Sequence, residues 1–183
     1  ANISLTAKEQ GGLEIKKLQS HLKFSPELME FKELDLQTNK SKLGNYFSMQ
    51  YNSFNKDMSS FIHNVTMNAD LNESVLSSDD LAIFAPALSD MKRIFFLQGK
   101  AKGTVDNFSA KSMIIKTGST LFNGEVAMRG LPDINSTFID LNAKLLQTNY
   151  TELVTIIPAL QKVKTPSLNK LGAIKYTGKF TGF

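Results

Sequence analysis

Apolar and polar residues alternate strictly over most of this chain, and that alternation limits the fold more than any other feature. In KKLQSHLKF, Leu18, Leu22 and Phe24 share one parity, while Lys17, Gln19, His21 and Lys23 share the other. A strand sends successive side chains to opposite faces, so such a stretch has one wet face and one dry face. The same signal recurs in KLGNYFSMQY (Leu43, Phe47, Met49, Tyr51) and in FIHNVTMNADL (Phe61, Val65, Met67, Ala69, Leu71). It recurs in FFLQGKAKGTV (Phe95, Leu97, Gly99, Ala101, Val105) and in TLFNGEVAM (Phe122, Val126, Met128). STFIDLNAKLL contributes Ile139, Leu141, Ala143 and Leu145, and AIKYTGKF contributes Ile174, Tyr176, Gly178 and Phe180.

Turn signals separate these runs: Glu9-Gln10-Gly11-Gly12, Thr117-Gly118-Ser119 and Gly130-Leu131-Pro132-Asp133. Short gaps imply antiparallel neighbours joined by hairpins. Several runs reach about ten residues, or about 33 Å of strand. The expected fold is mainly β, built on long antiparallel strands.

Two stretches break the alternation. DDLAIFAPAL and TELVTIIPAL follow a helical spacing, with Leu81, Phe84 and Leu88 in one and Leu153, Ile156, Ile157 and Leu160 in the other. Ser77-Ser78-Asp79-Asp80 reads as an N-cap with acids in the first turn, and Asn149-Tyr150-Thr151-Glu152 opens the second segment. Pro86 and Pro158 should bend or end each helix. Two short apolar helices between long strands are expected.

The chain also echoes itself. LDLQTNKSKL (34–43) resembles MIIKTGSTLF (113–122), and GKAKG (99–103) resembles GKFTG (178–182), both at a spacing of 79, whereas the helices are 72 apart. Approximate repeat units of 28–107 and 108–183 within a single repetitive β body follow, with the drift assigned to a change in loop length.

Composition excludes several functions. Cysteine is absent, which removes disulfides and thiolate chemistry. The two histidines, His21 and His63, stand in no nucleophile–base pattern, helix capping accounts for Asp79-Asp80, and no phosphate cradle or calcium loop is spelled. No catalysis, cofactor or metal is therefore expected. The net charge of +4 comes from scattered lysines, so no nucleic-acid stripe is expected. No apolar run reaches the length of a spanning helix and no signal segment opens the chain, which reads as an excised piece of a longer protein.

A one-sided sheet must cover its dry face by stacking, by closing into a barrel or by folding into a trough. The residues alone leave a filled core and an open groove as alternatives. The phrases LPDINSTFIDLNAKLLQTNYTELVTIIPAL, FIHNVTMNADLNESVLSSDDLAIFAPAL and FFLQGKAKGTVDNFSAKSMIIKTGSTLFNGEVAMRG resemble the AsmA/TamB family of bacterial envelope proteins, over about Leu34 to the end. Thr148-Asn149 and Gly99-Lys100-Ala101-Lys102-Gly103 fit that pattern; Leu131-Pro132-Asp133-Ile134 fits with its aromatic, Phe138, arriving late.

The resemblance implies a β-taco: a sheet folded lengthwise around a hydrophobic groove. The whole would be an inner-membrane-anchored periplasmic protein that bridges to the outer membrane. It would conduct phospholipid or support outer-membrane protein assembly with a BamA-like barrel partner. Under that reading the groove binds phospholipid acyl chains. Its expected lining is Leu22, Phe24, Leu43, Phe47, Met49, Val65, Met67, Leu71, Phe95, Leu97, Phe122, Val126, Met128, Leu141, Leu145, Ile174, Tyr176 and Phe180, with the two helices as cover. The alternatives are a chaperone that binds outer-membrane strands by β-augmentation, and a closed-core sandwich. Open sheet edges also make an edge-mediated homodimer of the fragment an expectation.

Overall fold

The computed structural model describes residues 1–8, 12–83, 89–133, 136–156 and 170–182. Ten strands are β1 (Asn2–Lys8), β2 (Glu14–Ser25), β3 (Leu28–Gln37), β4 (Lys42–Gln50), β5 (Thr66–Ser77), β6 (Ile94–Thr104), β7 (Asn107–Thr117), β8 (Thr120–Arg129), β9 (Phe138–Asn149) and β10 (Ala173–Gly182). They form one antiparallel sheet in sequence order, and β1 does not meet β10. The mainly β, long-stranded antiparallel architecture expected from the alternation is the one present, as a single unclosed sheet.

Among the described residues four short helices interrupt the meander: α1 (Phe54–Met58), α2 (Phe61–Asn64), α3 (Ser78–Leu81) and α4 (Tyr150–Ile156). The first two were not expected. Phe61 and Val65 are four residues apart, a spacing that fits one helix face as well as one strand face, so His63 lies in α2 rather than on a strand. Asp57 holds this link together by accepting the backbone N–H groups of Asn52 (2.7 Å) and Ser53 (3.0 Å). Val105, also expected on a strand, sits in the β6–β7 turn. The later helices start where expected. Ser77 Oγ accepts the Asp79 N–H at 3.2 Å, and Asn149 Oδ1 accepts the Glu152 N–H at 2.9 Å. Phe84, Leu88, Ile157, Leu160, Pro86 and Pro158 lie outside the described residues.

A line of bulges creases the sheet across its strands. Extra residues fall on β3, β5, β7 and β9, at Glu33, at Asn72-Glu73, at Lys111-Ser112 and at Lys144-Leu145. Glu33, Glu73 and Ser112 carry positive φ of 52°, 47° and 51°. A bulge bends its strand and raises the local twist. Each even strand from β4 to β10 sets a glycine at this line: Gly44, Gly99, Gly124 and Gly178. The reason is closest contact. A Cβ on Gly99 would lie 2.7 Å from the Ser112 carbonyl oxygen, and one on Gly124 would fall onto the Asn142 carbonyl oxygen.

The buried core sits along this crease. Ala110 and Met113 flank the β7 bulge and pack with Phe122, Val126 and Ala143. Burying a side chain the size of Phe122 contributes about 2–3 kcal/mol. The strand ends also hold buried residues, Val65 and Tyr51 among them, whereas Phe180 on the last strand, β10, is 55% exposed.

Candidate functional site: the inner face

Register fixes which side chains share the dry face. One row runs Phe24, Met29, Met49, Met67, Gly103, Phe108, Met128, Ile139 and Gly182, crossing β2 to β10. The next runs Leu22, Phe31, Phe47, Ala69, Ala101, Ala110, Val126, Leu141 and Phe180. Beyond the crease a third row carries Leu97, Ile115, Phe122, Leu146 and Tyr176. No acid or base stands in these rows. Ten strands at a spacing of about 4.8 Å extend the face over about 43 Å.

Most of the expected lining residues lie on this face, with three qualifications. Leu145 does not: the bulge at Lys144-Leu145 turns it outward opposite Asn123, and Leu146 takes the inner place opposite Phe122. Val65 is fully buried, so it fills space under the β4–β5 link. Phe122 and Val126 are buried in the crease. Leu43, Leu71, Phe95, Leu97, Leu141, Ile174 and Tyr176 are half-buried inner residues, as are Phe47, Met49, Met67 and Met128. Leu81, Leu153 and Ile156 are half-buried on their helices.

The sequence reading missed Met29, Phe31, Phe108, Met113, Ile115 and Leu146. Their signal was a slip of phase: Met29 and Phe31 alternate on one parity, Leu34 and Leu36 on the other, with Glu33 between. With them included, five of the seven methionines face inward.

Among the described residues no second sheet covers this face. Each strand makes its main contacts with its sheet neighbours; α2 lies against β6, α3 against β5 and α4 against β9. Partial cover comes from α1, where the Phe54 ring meets Phe24 and Tyr51 edge-on at centroid distances of 5.8 and 5.5 Å. Phe24 and Phe54 remain 59% and 39% exposed.

The polar networks that tie the helical links lie at the two ends of the strands. At the α3–α4 end, Asp80 accepts from Thr38 (2.5 Å) and Ser41 (2.6 Å), while Asp79 pairs with Lys40 (2.5 Å) and Lys92 (3.1 Å). The bond from Lys40, then that from Lys92, holds the Asp79 carboxyl below its usual range, and Asp79 in turn raises Lys40. Arg93 joins the two helical links by pairing with Glu152 at 2.8 Å and bonding Thr155. At the α1–α2 end, Asp106 accepts from Thr104 and contacts His63 at 2.8 Å, and both depress its carboxyl. Among the described residues no three His, Asp or Glu side chains converge as a metal site.

The arrangement can bind an apolar guest without a fixed polar anchor. Comparison with protein-family models, with curated proteins and with solved structures finds no match to this chain.

Proposed function

We propose that the inner face is a lipid-bearing groove, and that the chain is a segment of an AsmA/TamB-like periplasmic body carrying phospholipid between membranes. One observation carries this: an uncharged apolar face continues across ten strands with no second layer over it among the described residues. Two acyl tails exposed to water cost on the order of 20 kcal/mol or more. A continuous dry face removes that cost at every point of passage while headgroups stay wet at the opening. Inward methionines suit chains of varied shape, because the thioether side chain is flexible. In this reading β3–β6 and β7–β10 are two copies of one unit, and the sheet lengthens by adding such units. A BamA-like barrel is the partner expected for the full-length protein.

The free edges of β1 and β10 favour a second reading, strand addition by an unfolded outer-membrane protein. One experiment separates the two. Native mass spectrometry of the purified chain is expected to show phospholipid adducts, lost in Met128→Arg and in Phe180→Arg while thermal unfolding stays cooperative. Phe180 is more exposed, so its variant tests the groove if Met128→Arg unfolds. Adducts that survive both charges would reject the groove, and peptide adducts in place of lipid would support strand addition.

A further inference from the structure

The opposite face of the sheet divides into two halves of different charge. On β2 and β3 most outward bases find acids: Lys17 pairs with Asp35 (2.5 Å), Lys32 with Glu30 (3.5 Å) and His21 with Glu33 (3.2 Å), while Lys23 has no ion pair among the described residues. From β6 onward lysine predominates. Lys100 pairs with Asp70 at 3.3 Å. Lys111, Lys116, Lys175 and Lys179 are exposed and have no ion-pair partner among the described residues. The outward positions of β7–β10 set only Glu125 and Asp140 against them.

Apolar surface lies among these lysines. Phe96 is 55% and Ile94 40% exposed. Register places Val75, Phe96, Lys116, Leu121, Gln147 and Lys175 in one outward row. The adjacent row holds Gln98, Ile114, Asn123 and Leu145. An antiparallel sheet with one covered face ordinarily turns polar residues outward. Here aliphatic and aromatic side chains interleave with unpaired cations on the face away from the groove, so the groove does not account for them.

We propose that the outer face of β6–β10 docks on an anionic phospholipid surface, with Phe96 and Ile94 entering the headgroup layer and Lys111, Lys116, Lys175 and Lys179 drawn to phosphates. Charge complementarity identifies this partner. The cations are lysines on flexible stems, suited to a fluid array of phosphates rather than to a fixed bidentate acceptor. The apolar side chains among them are mostly aliphatic, which gives insertion but no platform for stacking bases.

Sedimentation with phosphatidylcholine vesicles, with and without phosphatidylglycerol, tests the proposal. Binding is expected only with phosphatidylglycerol, and weaker in high salt. Lys116→Gln and Lys175→Gln should each weaken it about fivefold. Phe96→Ser should weaken it about tenfold. Lys23→Gln, on the outer face of β2, should leave it unchanged; each variant is checked for cooperative unfolding. No vesicle binding, equal binding to neutral vesicles, or indifference to the β6–β10 changes would overturn the proposal. Tight binding to an oligonucleotide that Phe96→Ser leaves intact would point instead to a nucleic-acid partner and reject the membrane.

Discussion

The four strands β3–β6 and the four strands β7–β10 are structural counterparts that share the crease and differ most at their ends. Glu33 and Ser112, 79 residues apart, both bulge with positive φ. Gly99 and Gly178, again 79 apart, take φ of 136° and 139° at the crease. Between them the offset falls to 72, since β5 starts at Thr66 and β9 at Phe138. The β4–β5 link has 15 residues (51–65) and the β8–β9 link 8 (130–137). The link after β5 has 16 (78–93) and the link after β9 has 23 (150–172), so the offset is restored. Crease geometry is therefore the rigid element, because a bulge on one strand dictates the residue on the next. Loop length is free, because links at the strand ends dictate nothing across the sheet.

The largest expected effect breaks the likeness at the crease. Gly99 lies between the β5 and β7 bulges, and its Cβ would meet the Met113 sulfur at 2.6 Å and the Ser112 oxygen at 2.7 Å. Gly178 has nearly the same φ but stands on an edge strand, where a Cβ would meet only the Tyr176 side chain, its hydroxyl oxygen at 3.3 Å. Gly99→Ala should cost about 3 kcal/mol or more, from strain at positive φ plus overlap. Gly178→Ala should cost about 1 kcal/mol from backbone strain alone. In thermal melts that corresponds to a Tm lowered by about 10 °C against about 3 °C. Equal losses would mean that neighbouring bulges do not set the glycine requirement.

A smaller contrast lies in the hairpin turns. Thr38 and Thr117 are 79 apart, yet Thr38 donates to Asp80 at 2.5 Å and accepts the Ser41 N–H at 2.9 Å, whereas the Thr117 hydroxyl is buried without a partner among the described residues. Glu152 stands 72 residues after Asp80 but reaches Arg93 of the first unit instead. Thr38→Val should destabilise by about 1–2 kcal/mol, since it leaves a buried carboxylate short of a donor. Thr117→Val should be neutral or slightly stabilising, because it removes an unsatisfied polar group. Urea midpoints of the two variants should move differently, and a matching loss in both would show that Thr117 has a partner in solution.

The contrast between legible and hidden features follows the same physics. Alternation exposed the sheet because side-chain period is a local property of each strand. It failed at Leu145 because a single bulge inverts parity, and a reader who holds phase through AKLL assigns the wrong leucine. The bulges were nonetheless written in the chain: Met29-Phe31 against Leu34-Leu36, and Ala110 against Met113-Ile115, are pairs of runs out of phase by one residue. The outer patch around Phe96 was masked by its neighbour Phe95, since two adjacent aromatics satisfy either face. α1 and α2 were hidden because Phe61 and Val65 fit both periods, and the carboxylate that organises them, Asp57, acts through backbone contacts that no spacing rule records.

That carboxylate supplies the smallest of the contrasts. Asp57 ties the 15-residue link, and its acceptance of the Ser53 and then the Asn52 N–H holds its carboxyl below the ordinary range. In the shorter link of the second unit the Ser136 N–H donates to the Asp133 backbone carbonyl at 3.2 Å, an acceptor that does not titrate, and the Asp133 carboxylate accepts from the Ser136 hydroxyl at 2.8 Å. A depressed folded pKa gives a contribution that is complete above the unfolded value of about 4 and is lost as pH falls through the folded one. Below about pH 4 the amides of Asn52 and Ser53 should therefore lose hydrogen-exchange protection, while that of Ser136 changes little. Asp57→Asn should lower protection at Asn52 and Ser53 already at neutral pH and flatten its pH dependence. If the two links instead lose protection together, acid sensitivity belongs to the sheet as a whole, and the distinction between a titrating and a non-titrating tie fails.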